Sequence, residues 1–353
     1  MGDLQLARAL ARRFRFSGDK VLGEGVLSPP KPHLLRELLY QNSIKISPTV
    51  TPALAASVES ACTRLQLPKE CVEAFIVSSP DVQAECLTFG DDQCVLRFTS
   101  ALVNLLSSDE FEFVVGHEVG HFLLGHRITP HHVEQASVEF FMQQRRQEIS
   151  VDRIGLLASS ALDSSIRALM KTVSGLSGEH IRFDVGEFVQ QLKSISDVSV
   201  AANSTATHPS ILVRCRALLW FSLSNASAGN DGESTARVDE NIERDLDRYV
   251  DGPAKRTIGA AVEELALWMS AYEIVQAGVF TKERQQLVAR LFDVQTMERL
   301  KVFLSDVPKS EADGILFRRV DEARQTLEGL IPMTFEREVH GIRHRISEAF
   351  AKS

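Results

Sequence analysis

The spacing of apolar residues predicts a helix that opens after Thr51. In "TPALAASVESACTRLQL", apolar side chains recur every three or four positions at Leu54, Val58, Ala61 and Leu65. A proline follows the threonine directly, and proline is favoured at the first position of a helix. The pattern therefore predicts one helix with an apolar face at this point of the chain.

The period then changes to one that is typical of strands. The short runs "AFIVSS" and "AECLTFGDDQCVLRFTS" contain many residues that favour strands, and the second is interrupted by Gly90, Asp91 and Asp92. Glycine and aspartate are common turn residues, so the second run predicts a β-hairpin. We expect a small sheet here.

A helical period returns at Ser107. Ser107 is followed three residues later by Glu110, which is the spacing of a capping box at the start of a helix. One side of the predicted helix is apolar through Phe111, Val114, Val115, Val119 and Phe122. The stretch "VVGHEVGHFLLGH" therefore lies on a helix, and further helices are predicted at roughly 134–162, 184–196 and 209–224.

The same pattern divides the chain. Residues 1–50 contain "GEGVLSPPKPH", whose prolines and glycines oppose regular structure, and are predicted to be an N-terminal arm or linker. Residues 51–225 form the main domain, and 226–240 are a linker rich in Ser, Asn, Gly and Asp. Residues 241–353 repeat apolar positions at helical spacing and are predicted to be an all-α domain. The predicted fold class is α+β, mostly helical with a small β-sheet.

The composition of the chain indicates which partners it can bind and in which cellular compartment it is expected. The chain has 353 residues, 44% of them hydrophobic, and a formal net charge of -8, which argues against a nucleic-acid-binding surface. No apolar run reaches the roughly 18 to 20 residues of a membrane span, and we find no signal peptide. The five cysteines form no C-x-x-C pair, so a reducing compartment, the cytoplasm, is expected.

Three polar residues interrupt the apolar helix in a pattern that indicates metal chemistry. His117 and His121 stand one turn apart on one helical face and could converge on a zinc ion. Glu118 projects about 100° from His117, where a carboxylate can take a proton from water without binding the metal. Gly120 would let another backbone segment or substrate approach closely. Without a metal, these groups would be costly polar residues on a buried helix.

A catalytic zinc site needs a third protein ligand. In "RRQEISVDRIG", Glu148 and Asp152 lie four residues apart on one predicted helical face. We take Glu148 as the third ligand, with Asp152 accepting the free ring N–H of a ligating histidine. The alternative is an exposed helix face on which the two carboxylates pair with Arg145 or Arg153.

Other histidines are weaker candidates. His208 precedes a proline, which holds it in an extended conformation, and it could donate a hydrogen bond to the oxyanion of a tetrahedral intermediate. It could equally be a helix-entry residue with no chemistry. Arg214 could be a structural ion-pair partner or a substrate contact. His131 and His132 follow a proline in a predicted turn and are expected to be solvated.

These motifs together resemble a known family. The order H-E-x-G-H, E-x-x-x-D and T-H-P with a following arginine is similar to that of the gluzincin zinc metallopeptidases of the HtpX and CAAX prenyl protease family. The resemblance covers roughly residues 50–222. The run "SSDEFEFVVGHEVGHFLLGH" resembles that family's active-site helix, including the trailing His126.

The resemblance implies a zincin-like metallopeptidase domain and a role for each matching residue. It implies that one zinc ion is bound by His117, His121 and Glu148, that Glu118 is the catalytic acid and base, and that His208 stabilises the transition state. It also implies that the strand around "AECLTF" is an edge strand on which an extended peptide substrate pairs.

The sequence departs from that family in two respects. Many relatives have membrane spans beside the catalytic helix and this chain shows none, so we expect peptides or soluble proteins as substrates. The asparagine that usually precedes the edge strand is not evident in "DVQAECL". The function expected is a zinc metalloendopeptidase. The alternative is an inactive or latent zinc-binding module that acts in protein–protein interaction or regulation, with self-inhibition by the N-terminal arm or the C-terminal helical domain.

Overall fold

The computed structural model describes residues 2–20, 32–126, 137–195, 206, 208–228, 232–277 and 291–351. These residues form two compact units. The first unit comprises the described residues of Met1–Pro130 and Met142–Val250, and the second those of His131–Phe141 and Asp251–Ser353. The predicted fold class, mostly helical α+β with C-terminal helices, is confirmed.

The elements that lie mainly in the first unit are, in chain order, α1 (Gly2–Phe14), α2 (Pro32–Asn42), β1 (Ile44–Lys45), α3 (Pro52–Arg64), β2 (Val72–Val77), β3 (Ala84–Phe89), β4 (Gln93–Thr99), α4 (Ser100–Leu105), α5 (Ser108–Leu124), α6 (Val138–Ser159), α7 (Leu162–Ser174), α8 (Val185–Gln190), α9 (Ile211–Ser222), α10 (Asn225–Ala228) and α11 (Thr235–Leu246). Most of the predicted helices are found within a few residues of their expected bounds. The sequence pattern predicts no separate helix at α2, α4, α7 or α10.

The sheet contains the predicted hairpin. Strands β3 and β4 are antiparallel, with Ala84 opposite Phe98 and Phe89 opposite Gln93. Gly90 lies in the turn with φ of 69°, a left-handed conformation that glycine adopts without strain. The described strands are ordered β1-β2-β4-β3, and β2 runs parallel to β4 and antiparallel to β1. Strand β3 is therefore at an edge of the sheet, as expected.

Helix α5 is the centre of the first unit's core. Its Phe111, Val115 and Val119 belong to one buried apolar cluster with Leu96 and Phe98 of β4. Helices α1, α3 and α7 also contact α5. Because α5 is surrounded on several sides, its sequence is apolar around much of its circumference rather than on one stripe.

Both ends of α5 are fixed by local signals. At the start, the backbone N–H of Ser107 donates to Oε2 of Glu110 at 2.7 Å, which confirms the capping box. At the end, Gly125 adopts a left-handed conformation with φ of 71°, and the backbone N–H of His126 donates to the carbonyl of His121 at 2.8 Å. This glycine-terminated turn folds His126 back beside His121.

Helix α6 packs directly on α5 through small residues. A Cβ atom built on Gly116 would lie 2.2 Å from Cβ of Ala158 and 3.0 Å from Cα of Gly155. A Cβ on Gly120 would lie 3.1 Å from Cγ1 of Val151. The predicted role of Gly120, to let another segment approach, is thus seen in this helix pair, and Gly116 shares it.

The second unit is helical. Its elements are α12 (Gly252–Ala277), α13 (Val294–Asp306), α14 (Lys309–Leu330) and α15 (Phe335–Ala351). Helix α12 contacts each of the other three. Glu139 accepts hydrogen bonds from the backbone N–H groups of Met333 and Thr334, at 2.9 and 3.2 Å, just before α15. Among the described helices of either unit, none is long and apolar enough to cross a membrane.

The predicted division into an arm, two domains and a linker stays a prediction. Helix α1 of the predicted arm buries Ala7 and Ala11 in the apolar cluster around α5. Helix α11 begins within the predicted linker, and its Val238 and Ile242 are buried with Ile149 of α6. Within the described residues, the first unit extends to Val250.

Candidate metal centre

Two facing helices bring the three predicted ligands together. His117 and His121 lie on α5, and Glu148 lies opposite them on α6, with the ligand atoms of all three within 4.8 Å of one another. The Nε2 atom of His117 is 3.5 Å from Oε2 of Glu148, and Nε2 of His121 is 3.5 Å from Oε1. The cluster could hold a metal ion.

The chemistry of the cluster fits zinc. Glu148 is 4% exposed, and within the described part of the chain its buried Oε2 atom has no hydrogen-bond partner, while Nη1 of Arg214 lies 3.4 Å from it. A metal ion bound between the three ligands would stabilise this carboxylate further. Two imidazole nitrogens and one carboxylate are a donor set that catalytic zinc takes, with a fourth position left for water.

His117 is held by a carboxylate on its other ring nitrogen. Its Nδ1–H donates to Oδ1 of Asp152 at 3.0 Å, which leaves the Nε2 lone pair for the cluster. Arg214 of α9 donates to both oxygens of Asp152, at 2.8 and 2.6 Å. Although burial raises the pKa of Asp152, the charge and hydrogen bonds of Arg214 lower it to about 2. The carboxylate therefore stays ionised and Arg214 is its ion-pair partner.

The alternative of an exposed, salt-bridged helix face is wrong. Glu148 and Asp152 are both buried. Arg153 pairs with Asp239, and Arg145 donates to the carbonyl of Ala206 at 2.6 Å. The two carboxylates therefore face the site and do not pair with the neighbouring arginines.

Glu118 is buried next to the cluster. Burial raises the pKa of Glu118 to about 7; the charge of His117 opposes this rise, while Glu148 and Glu85 add to it. Glu85 belongs to the edge strand β3, which contacts α5. The site therefore lies close to the strand on which we expect substrate to pair.

His208 lies at the exposed rim. Its Nε2 atom is 3.4 Å from Oε1 of Glu148, and its side chain is 60% exposed. The structure thus brings His208 to the cluster, on the segment that leads into α9. His131 and His132 lie outside the described residues.

Sequence reasoning missed one partner of the site. The Nδ1 atom of His126 lies 3.2 Å from Nδ1 of His121, and its Nε2 atom lies 2.9 Å from Oδ2 of Asp19. The sequence marks His126 only as part of the family motif. It does not predict Asp19, because no local pattern connects the segment after α1 with the end of α5.

The fold is that of a mostly helical α+β protein, and two histidines and one glutamate in it could hold a metal ion. Residues 48–142 match the model of Peptidase family M48, which supports a metallopeptidase of this family. The match includes His117, Glu118 and His121 and ends before Glu148. M48 peptidases are zinc-dependent. No curated protein and no solved structure matches the chain.

Proposed function

We propose that the protein is a zinc metalloendopeptidase of the gluzincin type, similar to HtpX and the CAAX prenyl proteases. The observation that carries the proposal is the convergence of His117, His121 and Glu148 from α5 and α6, with the buried Glu118 beside them. The family match supports the same reaction class.

Each residue then has a chemical role. A bound zinc ion would lower the pKa of its water towards ~7 and polarise the scissile carbonyl. Glu118 takes the proton from the attacking water and passes it to the leaving amine. Asp152 and Arg214 keep the ring of His117 oriented.

The edge strand β3 is the proposed binding site for the substrate. An extended peptide that pairs with the open edge of β3 adds a strand to the sheet and runs beside α5. The position of His208 at the rim supports a hydrogen bond from His208 to the oxyanion. Peptides and soluble proteins in the cytoplasm are the substrates we expect.

The test compares the full chain with a Glu118→Gln variant. Both are loaded with zinc and incubated with a mixed peptide library, and products are identified by mass spectrometry with and without a chelator. We expect chelator-sensitive internal cleavage that falls by about 10²- to 10⁴-fold in the variant, with zinc content unchanged. The matched control is Glu112→Gln, because Glu112 lies on the same helix but pairs with Arg64.

Three outcomes separate the alternatives. A Glu118→Gln variant that keeps the full rate would contradict the assigned role. If the full chain binds zinc but cleaves no peptide, the alternative of an inactive or latent zinc-binding module is favoured. In the latent case, the N-terminal arm or the C-terminal helices would inhibit the site. Cleavage that a chelator does not affect would contradict metal catalysis.

A further inference from the structure

The two histidines of the cluster are supported in different ways. His117 donates directly to the carboxylate of Asp152. His121 instead faces another imidazole, with its Nδ1 atom 3.2 Å from Nδ1 of His126. Two ring nitrogens form a hydrogen bond only when one carries a hydrogen and the other does not. The direction of this bond therefore decides which nitrogen of His121 is free.

The position of Nε2 fixes that direction. Nε2 of His121 points to Glu148 in the cluster, at 3.5 Å from Oε1, and must be unprotonated to bind a metal. The hydrogen of the neutral ring is then on Nδ1, which donates to Nδ1 of His126. His126 carries its own hydrogen on Nε2, and Nε2 lies 2.9 Å from Oδ2 of Asp19. A carboxylate oxygen accepts that hydrogen, so the three residues have one consistent arrangement.

Asp19 is itself held in place by α6. Oγ of Ser150 donates to Oδ2 of Asp19 at 2.6 Å, and Nε2 of Gln143 donates to Oδ1 at 2.8 Å. Asp19 is 2% exposed. Ser150 and Gln143 lie on the same helix as Glu148, so one helix supplies a metal ligand and also anchors the carboxylate behind the opposite ligand.

We propose that Asp19 is a positioning residue of the metal site, acting through His126 to fix the tautomer and ring orientation of His121. The proposal rests on the proposed function, because it assumes a metal at His121. It makes the segment after α1, which lies outside the matched residues 48–142, a necessary part of the site. If the hydrogen bonds among Asp19, His126 and His121 only stabilised the fold, replacing the Asp19 carboxylate by an amide would leave the metal affinity unchanged.

The first measurement is the Zn²⁺ affinity of the full chain, determined by competition with a chromogenic chelator. Asp19→Asn and His126→Leu should each weaken affinity by about 10- to 100-fold, as removal of an outer partner of a metal ligand typically does. The double variant should bind no more weakly than His126→Leu alone, because Asp19 acts only through His126. Glu112→Gln, which changes a buried carboxylate to an amide on α5, should bind like the parent.

A second pair of variants tests the same point without touching Asp19. In His126→Asn the amide oxygen can accept from Nδ1–H of His121, whereas in His126→Leu nothing can. Because the shorter asparagine does not reach Asp19, this variant should bind zinc more tightly than the leucine variant but no more tightly than Asp19→Asn. The absorption bands of Co²⁺ bound in place of zinc should likewise lie closer to those of the parent in the asparagine variant than in the leucine variant. Circular dichroism and melting of the metal-free proteins verify that each is folded.

The outcomes separate this inference from the proposed function. If the parent chain binds no zinc, both fail. If the parent and Glu112→Gln bind one zinc but a folded Asp19→Asn binds equally well, only the positioning role is overturned. Equal affinities of the asparagine and leucine variants, or losses that multiply in the double variant, would overturn it as well. None of these measurements requires peptidase activity.

Discussion

Replacing Gly116 by alanine should disturb the metal site by pushing α6, which carries Glu148, away from α5. The new Cβ atom would lie 2.2 Å from Cβ of Ala158, whereas carbon atoms in contact are normally about 3.5 to 4.0 Å apart. The backbone of α6 blocks escape, because Cα of Gly155 lies 3.0 Å and the carbonyl oxygen of Ile154 lies 3.2 Å from the same point. The two helices must therefore separate locally by roughly 1.5 Å.

That separation has two measurable consequences. Overpacking of this kind costs about 1 to 3 kcal/mol in the free energy of unfolding. Glu148 lies on the displaced helix, and the distances between a metal ion and its ligands vary by only about 0.2 Å. Zinc affinity should therefore fall as well, by about tenfold for each 1.4 kcal/mol of strain that zinc binding must overcome.

The assay is urea unfolding of the metal-free protein, followed by chelator competition for zinc. The control is Gly314→Ala within α14, where no atom lies within 4 Å of the added Cβ. This control should stabilise the protein by about 0.5 to 1 kcal/mol, because alanine is the better helix former. If Gly116→Ala leaves stability and zinc affinity unchanged, the close packing of α5 on α6 does not position the ligands.

Two further substitutions test how α5 is held. Gly125→Ala places a side chain at φ of 71° and should lower the free energy of unfolding by on the order of 1 kcal/mol. Zinc binding should weaken too, because the turn that brings His126 to His121 is strained. Equal urea midpoints for this variant and the parent would contradict the prediction. Lys171→Met leaves the buried carboxylate of Glu110 without its cation, 2.6 Å away, and should cost about 3 to 5 kcal/mol. A double variant with Glu110→Gln should recover part of that loss, and no recovery would mean that the ion pair is not the cause.

The features that sequence reasoning predicted are those set by neighbouring residues. Two examples are the capping box at Ser107 and Glu110 and the hairpin at Gly90. Both depend on contacts between residues a few positions apart, so a short stretch of sequence predicts them. The pair His117 and His121 is fixed by helical geometry alone. Glu148 could be proposed because zinc needs a third ligand and few acidic residues follow the helix.

What could not be predicted depends on contacts between distant parts of the chain. Asp19 reaches His126 across 107 positions, and no local period marks it. Arg214 has two equally good roles in the sequence, and only the approach of α9 to α6 shows that it pairs with Asp152. Tertiary packing places both residues, so one sequence without its fold does not reveal them.

The proposed zinc site is tested most directly by the zinc-to-protein ratio of the full chain. Elemental analysis should give one zinc ion per chain for the parent after exposure to zinc and dialysis, and none for a variant that combines His117→Ala with His121→Ala. A parent that retains no zinc, or a double variant that retains one ion per chain, would contradict zinc binding by His117, His121 and Glu148.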